Sequence, residues 1–178
     1  MRRTAVCGAL LGLLGCGLGA CLLLGCPPKA AQVSLPPADG GAAGACTLPR
    51  LNGFLVLRAP DRYTSANLWE YLDGGAEQII ELRMQQLCVY DLRDLESGAE
   101  VRAEIYTLAA ADDARRLFAL WKMENGEAIA SPRPAWRAGN TLSFYQDHRY
   151  VRLYTNAEAI DATRLLQRTF ELICANLG

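Results

Sequence analysis

Hydrophobic and polar positions follow three regimes along this chain. From Ala5 to Leu24 there is no alternation: the run holds Ala, Leu, Gly, Val and Cys and no charge. Residues 27–47 then turn rich in Pro, Gly and Ala, with Pro27-Pro28, Pro36-Pro37 and Gly40-Gly41. From Leu48 onward the pattern is that of a folded domain. Leu51 to Leu57, closed by Ala59-Pro60, predicts a first strand. Tyr63 to Leu72 predicts a helix, with Thr64 or Ser65 as cap and Leu68, Trp69 and Leu72 on one face. Asp73-Gly74-Gly75 interrupts it, and Ala76 to Leu82 resumes with Ile79, Ile80 and Leu82. Leu87 to Leu92 and Val101 to Leu108 alternate with period two around Glu96-Ser97-Gly98 and predict paired strands. Asp112 to Trp121 places Ala114, Leu117, Phe118 and Trp121 at helical spacing. Thr141 to Tyr145 and Tyr150 to Tyr154 form a second strand pair around Asp147-His148. A long helix follows from Ala157 to Leu177, with an apolar stripe of Ala162, Leu165, Leu166, Thr169, Phe170, Ile173 and Leu177. Two strand-strand-helix units, joined by a connection marked by Pro132 and Pro134, predict an α+β domain. Its antiparallel sheet would carry helices packed mainly on one face.

The N-terminal run changes the expected location. Arg2-Arg3, an apolar stretch and small residues before Leu23-Leu24-Gly25-Cys26 form a secretory pattern. The last four residues resemble the lipobox of bacterial lipoproteins. That resemblance implies lipidation of Cys26, removal of 1–25 as signal peptide, and attachment to a membrane through diacylglycerol and an amide-linked acyl chain such as palmitate. A permanent span, for which the run is long enough, or an ordinary signal peptide is the alternative. The run's Gly and Cys content, and the lack of a basic residue immediately after its end, argue against a span. Cys16 and Cys21 also follow lipobox-like residues, but only Cys26 stands where polarity changes. Residue 27 is proline and not aspartate, which by the sorting rule of lipoproteins in some enteric bacteria implies the periplasmic side of the outer membrane. Residues 26–47 read as a flexible tether and 48–178 as a single domain.

Composition adds limits. The 178 residues carry a net charge of -1, which leaves no electrostatic footprint for nucleic acid. About 150 residues remain after the leader, enough for one core without a metal or disulfide, and no cofactor is expected. Of seven cysteines, Cys46, Cys88 and Cys174 remain in the expected domain. An oxidising compartment then suggests one disulfide and one thiol. Cys46–Cys174, joining the domain's ends, is the expected pair; Cys88–Cys174 is the alternative, and Cys88 alone reads as a small core residue. No spacing indicates a zinc site.

The most distinctive stretch is Tyr71-Leu72-Asp73-Gly74-Gly75-Ala76-Glu77. It resembles the aromatic-Ile-Asp-Gly-Gly-Ala-Glu core of a bacterial family of secreted proteins of unknown function, with Leu72 in place of isoleucine. Ile105-Tyr106 and Ala114 to Phe118 fit that family's later pattern more loosely, and the resemblance implies no activity. Read physically, Asp73 caps the helix after the glycines, and Glu77 in its first turn meets the positive end of the helix dipole. The functional reading is that Glu70, Asp73 and Glu77 converge on a ligand or cation, with Gly74 and Gly75 lining the cleft. His148, the sole histidine, sits in a hairpin turn without a recognisable nucleophile as partner.

A second candidate is a sheet face. Alternation puts Arg102 and Tyr106 on one side of their strand and Tyr150, Arg152 and Tyr154 on one side of theirs. If both sides face solvent, the five form a Tyr/Arg binding surface. The expectation is therefore a non-enzymatic envelope lipoprotein, a binding or assembly module with an envelope protein as partner. The alternative is a small hydrolase or metal-dependent enzyme using Asp73 and Glu77.

Overall fold

The computed structural model describes residues 44–48, 50–122 and 125–177. The expected leader, Cys16, Cys21, Cys26 and the tether up to residue 43 lie outside the described residues.

Two short strands, β1 (Phe54–Val56) and β2 (Asp61–Tyr63), both pair with the long strand β3 (Met84–Asp94). Between them and β3 come a single 3-10 turn at Leu68–Glu70 and the short helix α1 (Ala76–Glu81). β3 turns into β4 (Glu100–Leu108), and helix α2 (Ala111–Leu120) follows. Then come β5 (Glu127–Ala128), β6 (Ala135–Ala138), β7 (Thr141–Gln146), β8 (Arg149–Thr155) and helix α3 (Ala159–Asn176). All pairings are antiparallel, and the sheet order is β1-β3-β4-β8-β7-β6-β5. The α+β class and both strand-strand-helix units are therefore as expected.

The segment expected to be helical from Tyr63 to Leu72 is instead β2, a turn and one 3-10 turn. Asn67 is the reason. Its Oδ1 accepts from the Thr64 backbone N–H at 2.7 Å, an Asx-type closure that competes with a helical ladder. Leu68 nevertheless goes to the core, fully buried. β5 and β6 emerge from the proline-marked connection, which gave no period-two signal.

The sheet is buried on both faces, and its helices divide between them. α3 covers one face with Leu165, Leu166, Phe170 and Ile173 against Tyr90, Ala103, Phe144, Val151 and Leu153. α1 and α2 share the other, packing Ile79, Ala114, Leu117 and Phe118 against Leu87, Val89, Tyr106 and Tyr150. So two of the three helices lie on one face, and the longest takes the opposite one. Each fully buried Leu or Phe contributes about 1.5–3 kcal/mol, so neither layer is expendable. The stripes of α2 and α3 match those read from periodicity, because helical spacing alone fixes which side chains share a face. Among the described residues no helix is long and apolar enough to cross a membrane.

Polar side chains fasten the layers at their ends. Asp94 holds the β3–β4 turn, accepting from Ser97 N–H at 3.0 Å and Ser97 Oγ at 2.7 Å. Arg168 on α3 reaches the same Asp94 at 2.8 Å. Asp113, in the first turn of α2, makes no capping bond; it is buried and pairs with Arg83 at 2.5 Å.

The disulfide joins Cys46 to Cys88, across 42 residues, and Cys174 is the free thiol. This corrects the expected Cys46–Cys174 pair and the alternative Cys88–Cys174 pair. Cys88 sits on the α3 face of β3, where the chain at 44–48 crosses, whereas Cys174 lies near the end of α3. The last described residues of the expected tether, 44–47, are thus held against the sheet. They line a cavity of about 590 Å³ together with Arg62, Gln86, Tyr90, Arg149 and Leu177.

Candidate binding site

The Asp73 segment does not form a cleft. Glu70, Asp73, Gly74 and Glu77 are exposed, Gly75 is half-buried, and none of the five lines the cavity under 44–47 or the second cavity described below. α1 has no side-chain cap bond, so Asp73 does not cap it. The glycines have a backbone role: Gly74 has φ +72° and Gly75 φ +101°, a region side chains enter at a cost. Gly75→Ala should therefore cost about 1–3 kcal/mol, although nothing crowds the new Cβ. Asp73→Ala should stay within about 0.5 kcal/mol. Urea unfolding of the two variants checks both; an Asp73→Ala loss larger than that of Gly75→Ala would overturn the assignment. His148 lies in the β7–β8 turn, where its carbonyl accepts from Leu108 N–H. Among the described residues no group of three His, Cys, Asp or Glu side chains is placed to hold a metal.

The sheet face carrying α1 and α2 is different. Strand register aligns its side chains in rows. The first row is Leu87, Tyr106, Tyr150 and Tyr145. The second is Val89, Glu104, Arg152, Ser143 and Trp136. The third is Asp91, Arg102, Tyr154 and Thr141. The helices cover the first row and stop over the second. Tyr106 is 0% exposed, while Tyr154 in the third row is 43% exposed. Alternation thus brings Arg102, Tyr106, Tyr150, Arg152 and Tyr154 to one face, as expected. Tyr106 and Tyr150, however, lie beneath α2 and not in solvent. Their rings meet Trp121 edge-on at 5.5 and 5.7 Å, filling the space a helix with Leu117 and Phe118 must bury. What remains open is a polar shelf, the third row with Arg152 and Trp136 of the second, beside a wall of helix-borne side chains; Val89, Glu104 and Ser143 are buried beneath it.

Glu104 lies beneath the centre of the shelf. Its side chain is only 8% exposed, yet it accepts from two hydroxyls, Tyr71 Oη at 2.7 Å and Tyr106 Oη at 3.1 Å. Burial foremost, then the charge of Glu104 and its hydrogen bonds, push both phenols above the usual tyrosine range. Burial also pushes Tyr150 up to about 12. These hydroxyls therefore remain protonated donors at neutral pH. Tyr71 comes from the Tyr71–Glu77 segment, so that segment serves the shelf through its aromatic and not its acids.

Arg152 faces Glu104 from β8, Nε to Oε2 at 3.8 Å, with its guanidinium 5.6 Å from the Trp121 ring centre. Lys122 stands over Trp136 at 4.0 Å. Arg152, Lys122, Ser143, Thr141, Trp121 and Leu120 line a cavity of about 350 Å³. Beyond it, Asp91 accepts from Arg58 Nε at 2.8 Å and Arg102 Nε at 2.9 Å. Burial alone would raise the Asp91 carboxyl, but these two arginines hold it below its usual range. Sequence reasoning named Arg152 but missed Lys122, Trp121 and Ser143. The parity of Ser143, opposite Arg152 in a β7–β8 pairing, was the available signal.

Neither a protein-family model, nor a curated protein, nor a solved structure matches the chain.

Proposed function

We propose that this protein is an envelope lipoprotein, anchored through Cys26, that binds a partner or ligand on the polar shelf. The observation that carries the reading is the shelf itself: charged and aromatic side chains held in place by mutual contacts, at the edge of the helix layer. Such pre-ordering lowers the entropy lost on binding. Tyr, Trp and Arg, the residues that supply most interface energy, are those gathered there. The Cys46–Cys88 disulfide supports an oxidising compartment, in keeping with Leu23-Leu24-Gly25-Cys26 and with attachment at the periplasmic side of the outer membrane. The resemblance of Tyr71–Glu77 to a secreted family points the same way. An enzyme acting through Asp73 and Glu77 has no supporting geometry, since both side chains are exposed and apart from the cavity.

A photo-crosslinking residue placed at Tyr154 should give a discrete adduct in intact cells, and one at Leu95 in the β3–β4 turn should not. Both positions are exposed. Adding Arg102→Glu should abolish the Tyr154 adduct. Equal adducts from both positions, or one indifferent to Arg102, would refute a specific shelf.

A further inference from the structure

We propose that the cavity beside Arg152 binds a carboxylate carried on an apolar body. This deepens the shelf reading and rests on it. Arg152 is ion-paired with Glu104 across 3.8 Å but is not hydrogen-bonded to it. Each Glu104 oxygen already accepts a tyrosine hydroxyl, and the Arg152 Nε to Glu104 distance of 3.8 Å is too long for a hydrogen bond. Nε is buried and makes no hydrogen bond. The side chain is 36% exposed and steadied by Trp121. A ligand cannot reach the buried Nε; what the cavity offers an outside acceptor is the exposed remainder of the Arg152 side chain.

The rest of the cavity defines that acceptor. Ser143 and Thr141 offer hydroxyls, and Lys122 a second cation. Two cations against the single charge of Glu104 favour a monoanion over a doubly charged phosphate. A guanidinium fork matches a planar carboxylate. Trp121 and Leu120 supply apolar walls for the body that carries it. Carboxylates of this kind are presented by small aromatic or aliphatic acids, or by a protein chain ending in a large apolar residue. The chemistry is shared and the source is separable by experiment.

Benzoate titrated into the full-length chain, followed by the indole N–H signals of its three tryptophans, is the test. Trp121 should shift with a Kd of about 1 mM, while Trp69, exposed and outside the cavity, should not. Benzamide and inorganic phosphate should bind at least about tenfold more weakly. Arg152→Gln should weaken benzoate by about tenfold, and Arg152→Lys, which keeps charge without the fork, by less. An unchanged Trp69 signal in each variant shows that the fold is retained. No shift with benzoate, equal binding of benzamide, stronger binding of phosphate, or indifference to Arg152→Gln would each overturn the proposal. A Phe-terminated peptide binding more tightly than benzoate, and only with a free carboxylate, assigns a chain end as the source. Binding no tighter assigns a small acid. If benzoate fails while the Tyr154 adduct persists, the shelf reading stands and the ligand assignment alone falls.

Discussion

Loss of the Cys46–Cys88 disulfide should lower the unfolding free energy by about 4 kcal/mol, the chain-entropy value for closing a loop of this size. The bridge spans 42 residues and pins segment 44–48 onto the second strand from the sheet edge. Domains of this kind have total stabilities of about 5–15 kcal/mol, so the loss takes a large share. Guanidinium unfolding of the Cys46→Ala/Cys88→Ala double variant, and of the wild type under dithiothreitol, should give matching, lowered midpoints. Single variants are poorer probes, since the orphaned cysteine can pair with Cys174. Cys174→Ala should cost far less, since the thiol is half-buried and bonded to nothing covalently. Burial pushes it up to about 11, which keeps it protonated and slow to react at neutral pH. Should Cys174→Ala shift the midpoint as much as the double variant, the pairing is wrong.

The same bridge shows where sequence reasoning stopped. Chain ends do meet in this fold: Cys46, Thr47 and Leu177 line one cavity. Proximity of ends was therefore a fair inference, but it does not say which thiol faces which. That depends on strand parity. Cys88 belongs to the set Cys88, Tyr90 and Leu92 that points toward α3, and only the register of β3 reveals it. The strong periodicities were legible. β4, α2, β7 and β8 lie within a residue of their expected bounds, and the α3 stripe is buried as read. Local chemistry without a period was not. Asn67 redirected a predicted helix, and β5 and β6 are too short or irregular to alternate.

The site was half legible for a related reason. Alternation placed Arg102, Arg152 and Tyr154 together correctly, because period two is a property of the strand. It could not say which face the helices cover. Leu87-Cys88-Val89-Tyr90 is buried at every position, a continuous run that signals a strand covered on both sides. Taken that way, Tyr106 and Tyr150 become core, and only the rows past the helix layer remain for binding. The Asp73-Gly74-Gly75 run drew attention to carboxylates, while its structural content is two positive φ angles and the tyrosine ahead of them.

Cys26→Ser should abolish acylation. Cells fed an alkyne-tagged fatty acid should label the wild-type chain, and label in the variant should fall to background. The variant should also keep its leader, because the lipoprotein peptidase acts on the lipidated cysteine. Fractionation of this variant is a weaker readout, since an uncleaved apolar leader can itself hold a membrane. A cleaner separation replaces residues 1–26 with an ordinary cleavable secretory leader. That chain should move wholly to the soluble fraction. One acyl chain attaches a protein only marginally, and stable anchoring takes more than one, so the lipid group is the dominant attachment expected here. Nothing described in the domain replaces it: the whole chain's net charge of -1 includes Arg2 and Arg3 of the leader, so the domain offers little attraction to anionic lipid, and no described helix is apolar enough to span. Cys16→Ser and Cys21→Ser should label normally. If Cys21→Ser loses its label and Cys26→Ser keeps it, the anchor moves upstream and the tether lengthens by five apolar residues. If all three variants label as the wild type does, or the wild type never labels, the lipoprotein reading fails, and the shelf must then be tested as the surface of a protein without a lipid anchor.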